Sequence, residues 1–322
     1  MVPRTLLLNR TEVEALLDPA ALIPTLRSAF VDYSARAEGR ARRVRSTLPG
    51  PGTATVLFPG VAPGIPAYTV KVHAKFPRQQ PAIRGVLCLH DAETGDLLAV
   101  MDSTYLTSVR TGLAGALAAH VLARPDADVA AIVGAGAQGV QQLRSLAALR
   151  SLRLVRSYDL VAERAATFAR TMTADLGIPV EPAESLAVAV REAGIILVAT
   201  WAREPIILPG MLAPGTHVTT LGADEPGKAE VAAEVIRAAL FVCDDRTLAV
   251  EMGALGGVGL GPEAADAELG EVLGGVHPGR TSPEQLTVYG GVGLAFQDVV
   301  AAWSVYEAAR RLGTGREIDF LA

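Results

Sequence analysis

The chain has 322 residues, which at about 150 residues per domain suggests two domains. Half of the residues are hydrophobic and a fifth are charged, so the chain can bury a large core, and disorder is excluded as its main state. The net charge is −5, whereas nucleic-acid-binding domains are usually basic. We therefore expect no nucleic-acid partner.

The two cysteines, Cys88 and Cys243, are too few for a disulfide framework and lie in apolar runs, which favours free thiols in a reducing compartment. The N-terminus lacks a signal-peptide pattern, and no apolar run reaches the roughly 18 residues of a membrane span. These features predict a soluble cytoplasmic protein without a membrane partner.

The first third of the chain mixes helical and strand-like patterns. Asn9 or Thr11 can cap a helix that extends to about residue 39 and is interrupted by Pro19 and Pro24. Four strand-like pieces follow, TATVLF, AYTVKVHAKF, GVLCLHD and LLAVMD, and the turn AETGD joins the last two into a predicted hairpin. We expect a small antiparallel or mixed sheet.

The middle of the chain, from about residue 126 to 291, alternates apolar strands with helices. The predicted strands are VAAIVG, LRLVRSYD, IPVEP, IILVAT, HVTTLG and FVCDD. Helices are predicted near residues 138–150, 162–177, 185–194 and 230–240. This alternation is typical of a parallel sheet covered on both faces. A last amphipathic helix, near residues 292–313, is expected to return to the first domain and to make it discontinuous.

The segment VAAIVGAGAQG contains the pattern G-x-G-x-x-G after an apolar strand and at the start of a helix. Its glycines are Gly134, Gly136 and Gly139. They allow a tight turn, close approach of a pyrophosphate, and close packing of helix on strand. Asp159 ends the next strand, where an acid meets the adenosine ribose. The alternative is a tight turn without a ligand. Asp159 favours NAD over NADP, and the nearby Arg156 and Arg164 keep NADP as the alternative.

Lys71 stands in the middle of an otherwise apolar strand, and alternation places it on one face with His73 and Lys75. Such a lysine is either a charge on an edge strand or a buried functional amine. In the second case its pKa is lowered, and the amine can exchange protons near neutral pH.

Arg110 lies at the start of a helix rich in small residues. It is a solvated arginine, a partner for Asp102, or a bidentate clamp on a substrate carboxylate. Asp224 follows a strand of the nucleotide domain, where ligands of such sheets bind, and its alternative role is a turn or helix-capping aspartate. The segment RAEGRARRVR is a solvated face or weak anion patch, unless one arginine points inward as a second carboxylate ligand. The histidines lack metal-ligand spacing, so we expect no metal.

Five segments together identify a resemblance: YTVKVHAKFP, HDAETGDLLAVMDSTYLTSVRTGLAGALAAHVLAR, IVGAGAQG, LGADEPGKAEV and TVYGGVGLAFQDVVAAW. Over nearly its whole length the chain resembles the ornithine cyclodeaminase/mu-crystallin family of NAD(P)-dependent proteins. The resemblance implies an α/β fold with a Rossmann-type NAD(P)-binding domain at 119–294. It also implies a discontinuous α+β substrate and dimerisation domain at 1–118 and 295–322, a homodimer, and an active site in the cleft.

The resemblance also implies roles for single residues. Lys71 matches the family's catalytic, substrate-contacting lysine, and Asp224 matches its proton-shuttling aspartate. Arg110 matches the arginine that holds the substrate carboxylate beside the nicotinamide, and Arg45 matches the second substrate arginine, with Arg43 as the alternative. The implied cofactor contacts are Arg110, Gly134, Gly136, Ala137, Gln138, Gly139, Asp159, Thr200 and Lys228.

Three positions depart from the family pattern. Val56 replaces the glutamate that binds the distal amine of ornithine, which argues against ornithine as substrate and favours a small apolar side chain or ring. Ala82 and Gly291 replace a threonine and a serine, and could loosen cofactor binding.

We therefore expect an NAD-dependent oxidoreductase that moves a hydride to or from the α-carbon of a small amino or imino acid, like an alanine dehydrogenase or a ketimine reductase. The alternatives are an ornithine or lysine cyclodeaminase that releases ammonia and regenerates NAD, and a weakly catalytic small-molecule-binding protein.

Overall fold

The computed structural model describes residues 4–36, 40, 42–48, 52–76, 79 and 81–320. The chain divides into two units, Met1–Arg110 with Leu294–Ala322, and Thr111–Gly293, which we call unit 1 and unit 2. The first boundary falls eight residues before the expected 118/119, because it lies inside a continuous helix, Ser103–Leu122.

Unit 1 contains a seven-stranded mixed sheet together with helices. In chain order its elements are β1 (Thr5–Leu8), α1 (Arg10–Leu16), α2 (Pro19–Ala35), β2 (Arg42–Thr47), β3 (Thr53–Gly60), β4 (Ala67–Lys75), β5 (Ile83–Asp91), β6 (Leu97–Asp102), the first part of α3 (Ser103–Leu122), α10 (Ala295–Leu312) and β15 (Arg316–Ile318). The sheet order is β15-β1-β6-β5-β4-β3-β2. Only the β1–β6 pair among the described strands of this sheet is parallel. Helix α10 packs on β3, β4 and α2, so the tail helix returns to this unit.

The first predicted helix is two helices in the structure. Asn9 caps α1 in a capping box with Glu12. Asp18 caps α2 by accepting hydrogen bonds from the backbone of its first turn, and Pro19 occupies the first helical position, where its missing N–H costs nothing. Pro24 lies inside α2 without ending it. The prediction of a helix interrupted at both prolines is therefore wrong at Pro24.

The segment RAEGRARRVR, residues 36–45, is not simply a solvated face. Its second half is strand β2, which pairs with β3 from Arg42↔Phe58 to Thr47↔Thr53. Arg43 and Arg45 are half-buried on this strand.

Unit 2 contains an eight-stranded sheet in which every described pair is parallel, as predicted. Its elements are the rest of α3, β7 (Val129–Val133), α4 (Ala137–Leu149), β8 (Leu154–Tyr158), α5 (Ala162–Leu176), β9 (Val180–Pro182), α6 (Leu186–Val190), β10 (Ile195–Val198), β11 (His217–Thr220), α7 (Ala233–Ala238), β12 (Leu240–Cys243), α8 (Arg246–Glu251), β13 (Ala267–Glu268), α9 (Leu269–Leu273) and β14 (Thr287–Gly290). The sheet order is β13-β12-β14-β11-β10-β7-β8-β9. Five central strands are buried along their whole length, as expected for a sheet covered on both faces.

Two helices of unit 2, α6 and α7, are shorter than predicted. No helix in the described part of the chain has the length and apolar character that crossing a membrane requires.

Candidate functional site

The turn from β7 to α4 uses its three glycines for different purposes. Gly134 has a φ of +102°, and a Cβ there would lie 2.4 Å from the carbonyl oxygen of Ala199. A Cβ on Gly139 would lie 2.4 Å from the carbonyl oxygen of Gly134. A Cβ on Gly136 meets nothing within 4 Å. Two glycines are therefore required by packing, whereas Gly136 borders open space.

This open space lies at the N-terminus of α4, a helix of 13 residues that begins with Ala137 and Gln138. Gly136 is its N-cap and provides no side-chain cap, so backbone N–H groups and the positive end of the helix dipole are available to an anion. The carboxylate of Asp159 accepts hydrogen bonds from Ala135 N and Val161 N, each at 3.0 Å. The loop and the acid thus fit the pyrophosphate and ribose of a dinucleotide.

Arg156 keeps NADP as an alternative in the sequence analysis, because an arginine near the adenosine ribose can bind a 2′-phosphate. In the structure its guanidinium lies 3.7 Å from Glu181 and 3.5 Å from Glu192. Its charge is therefore balanced within unit 2, while Arg164 is exposed. This arrangement weakens the attraction of Arg156 for a 2′-phosphate.

Glu230 organises the ends of β10 and β11. Its buried carboxylate accepts hydrogen bonds from Thr200 N (2.6 Å), Thr200 Oγ1 (2.7 Å), Thr220 Oγ1 (2.6 Å) and Gly222 N (2.9 Å). Burial raises the pKa of Glu230, and the four hydrogen bonds oppose this shift. The hydroxyl of Thr200, an expected cofactor contact, thus donates to Glu230. The sequence suggested only a helix start at Glu230, but the helix begins at Ala233.

Asp224 and Lys228 lie together after β11. Lys228 Nζ is 3.1 Å from Asp224 Oδ1 and 3.8 Å from Glu225 Oε1, and it lies 4.2 Å from the ring centroid of Trp201. The expected proton-shuttling aspartate is therefore an ion-pair partner of an expected cofactor contact, and it keeps part of its side chain exposed.

In unit 1, Lys71 lies on β4, an interior strand of the sheet, and is fully buried. The interpretation as an edge charge is therefore wrong. Its Nζ lies 2.9 Å from Oδ1 and 2.7 Å from Oδ2 of Asp298, and 3.3 Å from Thr107 Oγ1. Burial lowers the pKa of Lys71 from 10.5 to about 7. Asp298 opposes the shift, and Arg110 and Arg43 add to it.

Arg110 is held by the same carboxylate. Its Nε donates to Asp298 Oδ1 at 3.0 Å and its Nη1 to Gln297 Oε1 at 2.6 Å. Asp102 is not its partner, since Asp102 Oδ1 accepts from the backbone at the start of α3. Burial raises the pKa of Asp298, but Arg110 and Lys71 together hold it below its usual value.

Asp298 is the main residue that the sequence interpretation missed. Phe296 and Val299 belong to the apolar face of the amphipathic tail helix, and both are buried. Gln297 and Asp298 lie between them and are also buried. Because an aspartate seldom enters a core without a charged partner, this interruption of the apolar face was the available signal.

Strand pairing decides which arginine of β2 lies beside Lys71. Leu57 of β3 pairs with Lys71 on one side and with Arg43 on the other, and Arg43 acts on the pKa of Lys71. Arg45 belongs to the neighbouring row of the same face. Arg43, the alternative match, therefore shares the cross-strand row of Lys71, with Leu57 between them.

Two departures from the family pattern have structural explanations. Val56 pairs with Val72, so it lies on the face of the sheet opposite Lys71. A Cβ on Gly291 would lie 2.9 Å from Leu221 Cδ2 and from the Tyr289 hydroxyl. Packing therefore disfavours a serine at this position.

Comparisons with known proteins show which family the chain resembles along its length. The model of the ornithine cyclodeaminase/mu-crystallin family matches residues 4–312. An alanine dehydrogenase of Archaeoglobus fulgidus is 38% identical over 74% of this chain and 75% of its own length. Among solved structures, an archaeal alanine dehydrogenase dimer with bound NAD has a TM-score of 0.92 at 32% identity, covering 99% of this chain and all of its own. Delta(1)-pyrroline-2-carboxylate reductase of Thermococcus litoralis, in complex with NADH and L-proline, also has a TM-score of 0.92, at 29% identity and 98% and 100% coverage.

Proposed function

The chain belongs to the ornithine cyclodeaminase/mu-crystallin family, and we propose that it is an NAD-dependent oxidoreductase acting on the α-carbon of an amino or imino acid. The observation that carries the proposal is the buried cluster of Lys71, Asp298 and Arg110, in which the pKa of the lysine falls to about 7. An amine with this pKa both accepts and donates protons near neutrality. The relatives' names, alanine dehydrogenase and pyrroline-2-carboxylate reductase, support this reaction class.

The reaction balances in both directions. In oxidation, the Cα–H bond of the substrate breaks, its electron pair leaves with the hydrogen as a hydride, and the nitrogen loses a proton to give an imino acid. NAD, when bound, supplies the hydride acceptor, and NADH supplies the donor for reduction. Neutral Lys71 takes the proton from the substrate nitrogen, and protonated Lys71 returns it in reduction. Where water then adds to the imine carbon, Lys71 takes the proton of that water, and breakage of the C–N bond releases ammonia and an oxo acid.

Arg110 holds the substrate carboxylate in this proposal. Of the five N–H donors of a guanidinium, Asp298 and Gln297 engage one on Nε and one on Nη1, so the group is fixed in orientation and can still donate to a carboxylate. We assign Arg43, rather than Arg45, as the second arginine near Lys71. Asp224 completes the proton relay, which its position directly after β11 supports.

Unit 2 supplies the cofactor site in this proposal. The glycine turn and the N-terminus of α4, with Ala137 and Gln138, would hold the pyrophosphate, and Asp159 the adenosine ribose. Thr200 and Lys228 are the further cofactor contacts that we propose. The acid at 159 and the ion pairs of Arg156 favour NAD, with NADP as the less favoured alternative.

Unit 1 is the substrate and dimerisation domain in this proposal, and the protein is a homodimer. Support comes from a row of valines on the face opposite Lys71. Val44, Val56, Val72 and Val86 pair in succession across β2, β3, β4 and β5; we call them the valine row. Val44, Val72 and Val86 are 63, 45 and 48% exposed, and contiguous exposed apolar surface marks interaction sites.

A cyclodeaminase would need an anchor for the distal ammonium of ornithine or lysine. Val56 is apolar and faces away from Lys71, and the positions beyond Lys71 on its own face carry further cations. These charges repel a distal ammonium. The geometry therefore favours net oxidation or reduction over cyclodeamination. The burial of Lys71 beside a carboxylate also argues against a protein that only binds small molecules, because binding alone does not require a buried amine.

The test follows absorbance of NADH and release of ammonia in parallel, with a panel of amino acids plus NAD and of imino or oxo acids plus ammonia and NADH. We expect a net absorbance change with at least one substrate. Lys71→Ala should lower kcat by about a hundredfold or more and leave NAD affinity in place. Arg84→Ala, an exposed change on β5, is the control. Unchanged turnover in Lys71→Ala would refute the assigned role of the lysine.

A further inference from the structure

The face of the sheet that carries Lys71 continues with a second set of polar residues. Thr55 of β3 pairs with His73 on one side and with Arg45 on the other. Lys75 follows His73 by two residues and so points to the same face. We call Arg45, His73 and Lys75 the distal row. A step of two residues along a strand places His73 about 7 Å from Lys71, and Lys75 lies a further step of the same length along β4.

His73 has a feature that points to a ligand. It is 5% exposed, and neither of its ring nitrogens has a hydrogen-bond partner in the described part of the chain. Buried polar side-chain atoms are normally paired, and leaving them unpaired costs free energy. The imidazole is therefore placed to bind a group that the described residues do not provide.

The surroundings of His73 decide which kind of group this is. Burial, followed by Lys71, Arg43 and Lys75, lowers the pKa of His73 to about 3, and Asp298 opposes this shift. The ring is therefore neutral at physiological pH, with one N–H donor and one acceptor nitrogen. Several cations act on the ring and the carboxylate of Asp298 is already shared by Lys71 and Arg110, so a negatively charged group is favoured here.

We propose that the substrate is an amino or imino acid whose side chain ends in a second carboxylate, and that the distal row binds this carboxylate. The proposal rests on the proposed function. The substrate's nitrogen and α-carboxylate lie at Lys71 and Arg110, His73 donates its N–H to the distal carboxylate, and Lys75 and Arg45 neutralise it. A chain of about four or five carbons, with a hydrogen bond at each end, spans the distance between Lys71 and His73.

The experiment compares substrates that differ only in the second charge. The wild-type protein is assayed with NADH, ammonia and two matched pairs of oxo acids: oxaloacetate against 2-oxobutyrate, and 2-oxoglutarate against 2-oxopentanoate. We expect kcat/KM to be higher for the dicarboxylate of at least one pair, by about tenfold or more, because charge-assisted hydrogen bonds are the strong ones.

Variants then connect this preference to His73. His73→Leu removes both ring nitrogens, and we expect the ratio of dicarboxylate to monocarboxylate kcat/KM to fall by about tenfold, mostly through KM of the dicarboxylate. His73→Gln restores a donor and should recover part of the ratio. His90→Leu is the control, because His90 pairs with Tyr68 and lies on the opposite face of the sheet. Lys75→Met provides a second variant and should lower the same ratio.

Three results would overturn the proposal. If the wild type turns over the monocarboxylates equally well or better, the second carboxylate is wrong while the proposed function stands. If His73→Leu lowers both members of a pair equally, His73 has a structural role instead. If no amino or imino acid turns over although NAD binds, the proposed function fails together with this inference.

Discussion

At the scale of single residues, the cluster in unit 1 has more positive than negative charge. Asp298 is the carboxylate that contacts both Lys71 and Arg110. Because Arg110 is always charged, a proton on Lys71 adds a second buried cation that one carboxylate compensates incompletely. The effect of burial on the pKa of Lys71 is therefore larger than the effect of the ion pair, and the pKa falls from 10.5 to about 7.

This balance predicts opposite effects of two substitutions on the pH profile. In wild type, kcat/KM for amine oxidation should rise as pH rises through about 7, because Lys71 becomes the neutral base. Asp298 raises the pKa of Lys71, so Asp298→Asn should move the midpoint to lower pH. Arg43 lowers it, so Arg43→Gln should move the midpoint to higher pH. Initial rates measured between about pH 5 and 10 in constant ionic strength test both shifts.

The opposite signs make this a strict test. Shifts of both variants in one direction, or no shift in either, would mean that another group gives the profile. Circular dichroism of both variants serves as the folding control, since loss of one partner from a buried ion pair is usually destabilising.

At the scale of elements, the turn from β7 to α4 separates glycines needed for the fold from one that leaves room for a ligand. Gly139 packs against the carbonyl of Gly134, while Gly136 borders open space and has φ −93° and ψ −169°, a conformation open to any residue. The backbone thus tolerates a side chain at 136 wherever no ligand approaches.

The two positions form a matched pair of alanine substitutions. Gly139→Ala should destabilise the protein by about 1–3 kcal/mol, because the added Cβ meets backbone. Gly136→Ala should leave the melting temperature nearly unchanged and weaken NAD binding by roughly tenfold or more, since the Cβ fills the approach of the pyrophosphate. Thermal unfolding and calorimetric titration with NAD measure the two effects separately. Full NAD affinity in Gly136→Ala would place the cofactor elsewhere.

The sequence predicted those elements whose signals are local. Strands β7 to β12 of unit 2, the β5–β6 hairpin and the glycine turn follow from short apolar periods and turn residues, whereas β13 and β14 are absent from the prediction. The contact of Lys71 with Asp298 spans 227 positions, and the bonds of Glu230 to Thr200 span 30. Such pairs form only when folding brings distant parts of the chain together, so the local periodicity of the sequence cannot predict them. The sequence analysis does not predict strand β2, because three of its six residues are arginines and the segment lacks an apolar pattern. Its pairing with β3 shows that it is a strand.

At the scale of the whole molecule, the sheet of unit 1 has two faces with different chemistry. One face carries Lys71, which contacts Asp298 of α10, and the distal row. The other carries the valine row, which crosses four strands and includes Val56. A valine in that position extends the apolar face, which is consistent with its use as a contact between copies of the chain.

The homodimer is tested by placing a charge in this row. Val72→Glu should shift the protein from dimer to monomer, because a carboxylate buried in an apolar interface without a partner is costly. Light scattering coupled to size-exclusion chromatography, at several concentrations, measures the mass. Val276→Glu, at a site that is 82% exposed in unit 2, is the matched control and should stay dimeric. A dimer that persists in Val72→Glu and in Val86→Glu would show that the contact uses another surface, and a monomeric wild type would refute the homodimer itself.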